Sequence, residues 1–350
     1  MDKILRTVDA NINRGSEGLR VLEDIFRFVF NDSALASKFK DIRHVARKAL
    51  NEYCLQKHRE VETDCGKTSF GTSEKSRDSV ETLLTVNLKR VEESFRVLEE
   101  FLKVINTNKA LLFKELRFQI YNIEQNLFSV KRRFKEILSS NRVSLYGIID
   151  TRFSYKKHID ICKNLIKGGI KVIQLREKLL PDKNFLAIAK ELAMLCGEFE
   201  AIFIVNDRAD IAALSNADGV HLGQDDVDIK EAFNVAGFNK IYGISTHNER
   251  QVADAVTRNP DYIGFGPIFP TKSKENPDPT VGTSALLKVK EKYPGLPVVA
   301  IGGINFSNIT EVIKCFPEMI CIMSGIISED DIVGEIKKYR SFINDTIGNS

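Results

Sequence analysis

The stretch AIFIVNDRADIAALSNADGVHLGQDD, residues 201–226, contains two apolar runs that each end in acidic residues. The first run ends at Asn206 and Asp207, and the second, residues 219–222, is soon followed by Asp226. An acidic side chain at the end of a buried strand costs stability unless something offsets its charge. A metal ion, a basic side chain or solvent at a loop are the three candidates for that role.

The alternation of apolar runs and helical patterns extends through the C-terminal part of the chain. Eight runs have the composition of strands: SLYGIID (144–150), VIQLRE (172–177), AIFIVND (201–207), GVHLG (219–223), IYGIST (241–246), YIGFGP (262–267), PVVAIGG (297–303) and MICIMSG (319–325). Runs that are this continuously apolar are typical of parallel strands covered on both faces. Helical periodicity between the runs, as in 182–196, completes eight βα units and predicts an α/β fold, the (β/α)8 TIM barrel.

The N-terminal part of the chain lacks this alternation and is predicted to be an all-α domain. It contains an internal repeat, because DANINRGSEGLRVLEDIFRFV (9–29) matches LTVNLKRVEESFRVLEEFLKVI (84–105). Asn11 corresponds to Asn87, an offset of 76 residues. We place the domain boundary at the Ser-Ser-Asn segment 139–141, which gives a helical domain over 1–140 and a barrel domain over 141–350.

The two repeats share both apolar and polar positions. The apolar positions fall in one helical stripe and are Ile12, Leu19, Leu22, Phe26 and Val29 in the first repeat, and Leu88, Phe95, Leu98, Leu102 and Ile105 in the second. The matched polar pairs are Asn11/Asn87, Arg14/Arg90, Glu17/Glu93, Arg20/Arg96 and Glu23/Glu99. Two interpretations stay open: a helix-bundle core with exposed ion pairs, or a polar site between two equivalent helices.

A segment rich in Ser, Thr and Gly, residues 63–79, separates the repeats. Its Gly66-Lys67-Thr68 resembles the end of a phosphate-binding P-loop, but Val61 stands where that motif requires glycine. The segment is predicted to be a flexible loop, and a phosphate-holding loop of another kind is the alternative.

The composition argues against several classes of protein. A net charge of +3 and the absence of a basic face interleaved with aromatic residues argue against nucleic-acid binding. The basic run 131–133 is interpreted as a solvated helix face. No apolar stretch approaches the ~18 residues that span a bilayer, and the six cysteines form no C-x-x-C pair. We expect a cytoplasmic protein that binds neither nucleic acid nor membranes.

The reacting groups of a (β/α)8 barrel come from the C-terminal strand ends. Here those ends carry cations, acids and hydroxyls: Gln174, Arg176, Lys178, Asn206, Asp207, Gln224, Asp226, Ser245, Thr246, Thr271, Ser273 and Lys274. Three cations suit a polyanion such as pyrophosphate, and Asp207 and Asp226 suit Mg²⁺, which combines one or two carboxylates with substrate phosphates. Asp225 is a competing ligand or a plain loop acid.

The last two strand ends predict a second anion site. They carry Gly302-Gly303 and Ser324-Gly325, and the loops after strands 7 and 8 of such barrels often bind phosphate through backbone N–H groups. A tight turn at the glycines is the alternative. A pyrophosphate site with a separate monophosphate site predicts transfer between two small-molecule substrates.

The motifs QLREK, VNDRAD, ADGVHLGQDD, GISTH, GPIFPTKSK, AIGGI and MSGI, in this order within 145–327, closely resemble those of thiamine phosphate synthases. That family joins 4-amino-2-methyl-5-hydroxymethylpyrimidine diphosphate to a thiazole phosphate and releases pyrophosphate. The resemblance implies that the pyrimidine diphosphate is held by Gln174, Leu175, Arg176, Glu177, Lys178, Asn206, Ser245 and Lys274.

The resemblance also implies the remaining roles. Arg176, Lys178 and Lys274 would act in catalysis, and Asp207 and Asp226 would bind Mg²⁺. The thiazole phosphate would contact Thr271, Lys272, Ser273, Gly303, Met323 and Ser324. Lys272 departs from the family pattern, in which many members have an uncharged residue.

Two other functions remain as alternatives for the barrel: a thiazole tautomerase, which resembles the synthase but need not bind a diphosphate, and a noncatalytic sensor of thiamine intermediates. Residues 1–140 resemble a helical domain that is fused to some synthases and regarded as an alternative hydroxymethylpyrimidine-phosphate kinase, for which ATP would be a cosubstrate. A scaffold or homo-oligomerisation module is the competing interpretation of this domain.

Overall fold

The computed structural model describes residues 2–58, 79–139, 143–271, 273 and 277–348. Lys272, Lys274 and residues 63–78 of the Ser/Thr/Gly-rich segment lie outside these residues, as do residues 140 and 141 of the predicted boundary. The chain divides into two compact units, Met1–Phe128 and Ser129–Ser350.

The first unit is helical, as the sequence predicts. Its helices are α1 (Asp2–Asp24), α2 (Ser33–Ala49), α3 (Val80–Leu102) and the first part of α4 (Thr107–Ser139), with a π-helical turn at Ile25–Val29 and 3-10 turns at Asn51–Tyr53 and Leu55–His58. Asp32 precedes α2, and its side chain accepts a hydrogen bond from the Leu35 N–H. Ser79 precedes α3, and its side chain accepts from the Thr82 N–H. Both are N-caps that satisfy first-turn N–H groups.

The two repeats lie on α1 and α3, which pack against each other. A Cβ added at Gly15 would lie 3.4 Å from the Cβ of Ser94, and one added at Gly18 would lie 2.9 Å from Val91 Cγ2. Glycine at these two positions therefore allows the close approach of the helices.

Most positions of the shared apolar stripe form the core of this unit, although Ile105 is half-buried and Val29 is exposed. Leu19, Leu22, Phe95 and Leu98 are fully buried, but Val29 is 45% exposed. The wider π-helical turn Ile25–Val29 changes the helical register, so that the 3.6-residue periodicity no longer places the Val29 side chain on the buried face.

The matched polar residues divide between the two predicted interpretations. The Arg14/Arg90 and Glu17/Glu93 pairs are exposed, as surface charge requires. The Asn11/Asn87 pair is buried, and each amide donates to a backbone carbonyl four residues earlier in its own helix.

Glu23 and Glu99 are also buried, and each accepts from an arginine of the next helix. The distances are 2.6 Å from Arg43 Nη2 to Glu23 Oε2 and 2.7 Å from Arg117 Nη2 to Glu99 Oε2. These repeated polar contacts therefore fix the helix pairs.

The second unit is a closed eight-stranded parallel barrel in the order β1 to β8, which confirms the predicted fold class. The strands are Ser144–Ile149, Val172–Leu175, Ile202–Asn206, Gly219–Leu222, Ile241–Thr246, Tyr262–Phe265, Val298–Ile301 and Met319–Cys321. Its helices α5 to α13 are His158–Lys167, Asp182–Glu198, Ala209–Leu214, Ile229–Ala236, Glu249–Thr257, Gly282–Lys292, Ile309–Ile313, Ser324–Ile327 and Ile332–Gly348.

Residues 129–139 of α4 belong to this second unit and pack at the N-terminal end of the barrel. Phe134 contacts Tyr262, with ring centroids 5.6 Å apart. Arg133 Nη2 lies 2.6 Å from Asp218 Oδ1, and Lys131 Nζ lies 3.5 Å from Asp261 Oδ1. The prediction that 131–133 form a solvated face is therefore wrong for Lys131 and Arg133, which pair with acids at the starts of strands.

Across the described ranges, the long helices are all too polar to cross a bilayer.

Candidate active site at the barrel mouth

The C-terminal ends of β1 and β2 carry a buried ion pair. Asp150 is 1% exposed, and its Oδ2 lies 2.6 Å from Arg176 Nη1 and 2.7 Å from Arg152 Nη2. Burial opposes ionisation of Asp150, but the hydrogen bonds from Arg152 and Arg176 outweigh it and lower the pKa of the carboxyl. Asp150 thereby fixes the guanidinium of Arg176, whose other N–H donors can meet an anion.

Asp150 is a residue that the sequence argument missed as part of the site. It ends the apolar run of β1 in the way that Asp207 ends β3, so the same rule of acids at strand ends would have found it.

Two other residues of the predicted diphosphate set have side chains engaged elsewhere. Leu175 is fully buried in the hydrophobic core. Glu177 accepts from the N–H and hydroxyl of Thr151, at 2.9 and 2.7 Å, and lies 2.9 Å from His158 Nε2. Burial opposes ionisation of Glu177, yet the hydrogen bonds from His158 and Thr151 lower its pKa. Leu175 and Glu177 could therefore contact a substrate through their backbone atoms.

The acids of the opening stretch meet at the ends of β3 and β4, beside Lys178. Lys178 Nζ lies 2.6 Å from Asp207 Oδ2. Asp226 accepts from the Gly223 N–H at 2.6 Å, and burial together with its hydrogen bond to Asp207 raises the Asp226 pKa. Asp225 is exposed. The structure therefore pairs Asp207 with Asp226.

The backbone of Asp207 has a φ of +63°, which is uncommon for residues other than glycine. Its N–H donates to the carbonyl of His221 at 2.8 Å, so pairing with β4 holds this strained turn. A strained residue at a strand end is typical of a functional site.

The chemistry of these donors fits a magnesium ion. Burial and the neighbouring Asp207 both raise the Asp226 pKa, and an added cation would stabilise the two carboxylates in their charged form. Among the described residues no larger cluster of acidic, His or Cys ligands could hold a metal. An ion bound by Asp207 and Asp226 would therefore complete its shell with substrate and water oxygens, as Mg²⁺ commonly does.

Polar side chains inside the barrel form a chain of hydrogen bonds below the mouth. Gln174 Nε2 donates to the hydroxyl of Tyr146 at 3.2 Å, and that hydroxyl lies 2.9 Å from the hydroxyl of Tyr262. His221 continues the chain, with Nδ1 3.0 Å from Tyr262 and Nε2 2.9 Å from Ser245 Oγ. The chain connects two predicted substrate contacts, Gln174 and Ser245.

Two glycines make room for the imidazole in this chain. A Cβ at Gly243 would lie 2.6 Å from His221 Nδ1, and one at Gly264 would lie 3.2 Å from Cε1. Burial lowers the His221 pKa to about 4, so the ring is neutral at neutral pH. The sequence argument missed His221 and both tyrosines because they lie within apolar runs.

Asn206, at the end of β3, is also buried in the barrel. Gln224, after β4, donates to the Ser245 carbonyl at 2.6 Å. Both residues therefore lie at the same end of the barrel as Ser245.

The residues predicted to contact the thiazole phosphate follow β6, β7 and β8. Thr271 Oγ1 accepts from the Ser273 N–H at 3.2 Å. Gly303 has a φ of +66°, and a Cβ there would lie 2.5 Å from the Pro270 carbonyl oxygen. Glycine is therefore required where the loop after β7 passes the loop after β6.

Met323 and Ser324 follow β8, and Ser324 begins the short helix Ser324–Ile327. Ile301 of β7 pairs with Cys321 of β8. Gly303 lies two residues after Ile301, and Met323 lies two residues after Cys321. The described members of the predicted thiazole set therefore lie on adjacent loops at one end of the barrel.

Comparisons with known proteins give the same two-part division. The family described as thiamine monophosphate synthase matches residues 145–326, and the ThiD2 family matches residues 6–126. The thiamine-phosphate synthase of Prochlorococcus marinus subsp. pastoris is 37% identical over 331 residues, 94% of this chain and 92% of that protein. The thiamine-phosphate synthase of Thermosynechococcus vestitus is 34% identical over 331 residues, again 94% of this chain and 92% of that protein.

A solved structure of the thiamine phosphate pyrophosphorylase from Pyrococcus furiosus superimposes with a TM-score of 0.54 and 34% identity. It covers 59% of this chain and 98% of that one. Because the family match spans the barrel and full-length relatives exceed 30% identity, the chain belongs to the thiamine monophosphate synthase family.

Proposed function

We propose that the barrel forms thiamine phosphate from 4-amino-2-methyl-5-hydroxymethylpyrimidine diphosphate and 4-methyl-5-(2-phosphooxyethyl)thiazole. The bond between the pyrimidine methylene carbon and the diphosphate oxygen breaks, and its electron pair leaves with pyrophosphate. A new bond joins that carbon to the thiazole nitrogen. The observation that carries the proposal is the fixed cation Arg176 at the same mouth as Lys178 and the Asp207–Asp226 pair.

A dissociative order of events fits these residues. Electron donation from the aminopyrimidine stabilises positive charge on the methylene carbon as pyrophosphate departs, so no nucleophilic side chain is needed. Arg176 and Lys178 stabilise the negative charge that develops on the leaving group. Lys274, which the resemblance assigns to the same role, lies outside the described residues. Mg²⁺ held by Asp207 and Asp226 would add positive charge at the leaving pyrophosphate.

The remaining residues orient the reactants. Neutral His221 holds the hydroxyl of Ser245 at 2.9 Å, which presents a defined hydrogen-bonding group to the diphosphate. The Gly303 loop and Ser324 offer backbone N–H groups to the thiazole phosphate. Holding the thiazole nitrogen in line with the reacting carbon replaces a bimolecular encounter by an oriented one.

The helical domain would supply the diphosphate. In this step the γ-phosphoryl group of ATP moves to the phosphate of hydroxymethylpyrimidine phosphate, giving ADP and the diphosphate that the barrel consumes. The match of residues 6–126 to the ThiD2 family, together with the resemblance of this domain to an alternative hydroxymethylpyrimidine-phosphate kinase, supports this assignment.

The test supplies the full-length chain with thiazole phosphate and Mg²⁺ and measures thiamine phosphate. One reaction contains the pyrimidine diphosphate, and the other contains the pyrimidine monophosphate and ATP. Product in both supports the two activities, and product from the diphosphate alone supports the synthase and rejects the kinase. Folded protein that gives no product in either reaction overturns the synthase proposal.

The rival functions predict different results in the same experiment. A thiazole tautomerase would isomerise its thiazole substrate without consuming pyrimidine diphosphate. A noncatalytic sensor would bind the intermediates with no turnover.

A further inference from the structure

A cleft of about 410 Å³ opens in the first unit between α1 and the chain that follows α2. Its lining includes Asp9 and Asn13 of α1, Arg47 of α2, Leu50, and Lys57 of the second 3-10 turn. This volume is that of a site for a small molecule. The synthase reaction proposed for the barrel does not use this cleft.

The floor of the cleft combines a carboxylate with apolar surface. Asp9 is 5% exposed, and Ile12 and Leu50 beside it are also buried. Asn13 Nδ2 donates to Asp9 Oδ1 at 3.1 Å and to the Asp9 carbonyl at 2.8 Å. A carboxylate oriented in this way accepts hydrogen bonds from an amino group, and the apolar walls suit a flat ring.

The rim of the cleft carries positive charge. Arg47 and Lys57 are the cationic side chains among its lining residues, and both are exposed. Exposed cations at the rim of a cleft that also contains a buried acid suit a ligand that carries both a phosphate and an amino group.

The internal repeat shows that the Asp9–Asn13 pair is not part of the shared scaffold. At the offset of 76 residues Thr85 replaces Asp9 and Lys89 replaces Asn13. Thr85 is exposed, and Lys89 pairs with Glu92 and Glu124. By contrast, the buried Asn and Glu of the repeats are present in both halves. The Asp9–Asn13 pair at the floor of the cleft therefore occurs in the first repeat alone, as expected for residues that serve a ligand and not the shared scaffold.

We propose that this cleft binds an aminopyrimidine monophosphate, with Asp9 accepting from the amino group and with Arg47 and Lys57 meeting the phosphate. The choice of ligand rests on the proposed function of the helical domain. The cleft thereby gives that domain a substrate site on α1 and α2.

The test measures binding of hydroxymethylpyrimidine monophosphate to the full-length chain by isothermal titration calorimetry. All proteins carry Arg176→Ala, so that the barrel contributes little to the signal. Asp9→Asn and Arg47→Met should each weaken binding on the order of tenfold to a hundredfold, the effect of losing a charged hydrogen bond. Lys48→Met is the matched control, because Lys48 is exposed beside Arg47 but does not line the cleft, and its Kd should change less than about twofold.

The same Asp9 and Arg47 substitutions in the chain that retains Arg176 should leave synthase turnover from the diphosphate unchanged. If Asp9→Asn does not fold, the exposed Arg47→Met carries the test. If the cleft variants bind the monophosphate with unchanged affinity, the cleft is not its binding site. The proposal is also overturned if the chain that carries Arg176→Ala alone shows no binding. Cleft-dependent binding without ATP-dependent diphosphate formation supports the cleft and rejects the kinase. If both cleft variants form the diphosphate as fast as the unmodified chain, the kinase is supported and the cleft is rejected as its substrate site.

Discussion

The two units of this chain use buried ion pairs for different purposes. In the helical unit, Glu99 and Arg117 are both nearly inaccessible, and the pair joins two helices. In the barrel, Asp150 is equally inaccessible, but its partner Arg176 is partly exposed at the strand ends. The structural pair therefore differs from the pair proposed to act in catalysis in whether the cation retains donors that a ligand can reach.

The largest expected effect tests the structural side of this comparison. Arg117→Met leaves Glu99 buried without its main partner, which should lower the free energy of unfolding by about 3–5 kcal/mol. Arg43→Met, at the matching pair, should cost less because Arg43 is the more exposed arginine. Urea unfolding measures both, and synthase turnover from the diphosphate should persist. Losses below about 1 kcal/mol in both variants would contradict a structural role for these pairs.

The second prediction tests the functional side. Arg176→Ala should reduce synthase kcat/KM on the order of 10²–10³-fold, as expected when one donor to developing negative charge is removed. Steady-state kinetics with the diphosphate measure the loss. Arg258→Met is the control, because Arg258 pairs with Asp228 at the surface and should change turnover little. Full activity in Arg176→Ala would show that the fixed cation is not part of the site.

The smallest effect concerns the neutral imidazole inside the barrel. The His221 pKa falls from 6.5 to about 4 on folding, so the unfolded chain binds this proton more readily. His221 therefore contributes stability that is complete above pH 6.5 and is lost as the pH falls to about 4, a change of about 3 kcal/mol. Urea unfolding at pH 7, 5.5 and 4 should show a steeper decline for the unmodified chain than for His221→Gln. Parallel declines would contradict the assigned ionisation.

The sequence predicted the barrel because parallel strands have a distinctive composition, and it placed Asp207 and Asp226 at one mouth because the ends of parallel strands meet there. Strand bounds were less accurate. The run 319–325 contains only a short strand, Met319–Cys321, because the helix Ser324–Ile327 begins soon afterwards. Glu177 was included in the diphosphate site because it lies in QLREK, whereas its bond to His158 joins residues from separate elements and has no local signal.

The hydrogen-bond chain inside the barrel was missed for a related reason. Tyr146, His221 and Tyr262 each lie in an apolar run, where composition alone does not distinguish the side that faces the barrel interior. Their connection depends on strand register and on the space left by Gly243 and Gly264. The predicted site residues that the structure brings to the barrel mouth are those whose position along a strand determines their place in the fold.

The crossing of α1 and α3 also indicates how the helical unit arose. At the offset of 76 residues Gly15 is equivalent to Val91 and Gly18 to Ser94, while Gly15 approaches Ser94 and Gly18 approaches Val91. Such reciprocal contacts define an isologous interface, in which each partner presents the same patch to the other. Duplication and fusion of a gene for a half-length homodimer would give this arrangement, and it would free one copy to acquire Asp9 and Asn13 while the other kept only the scaffold.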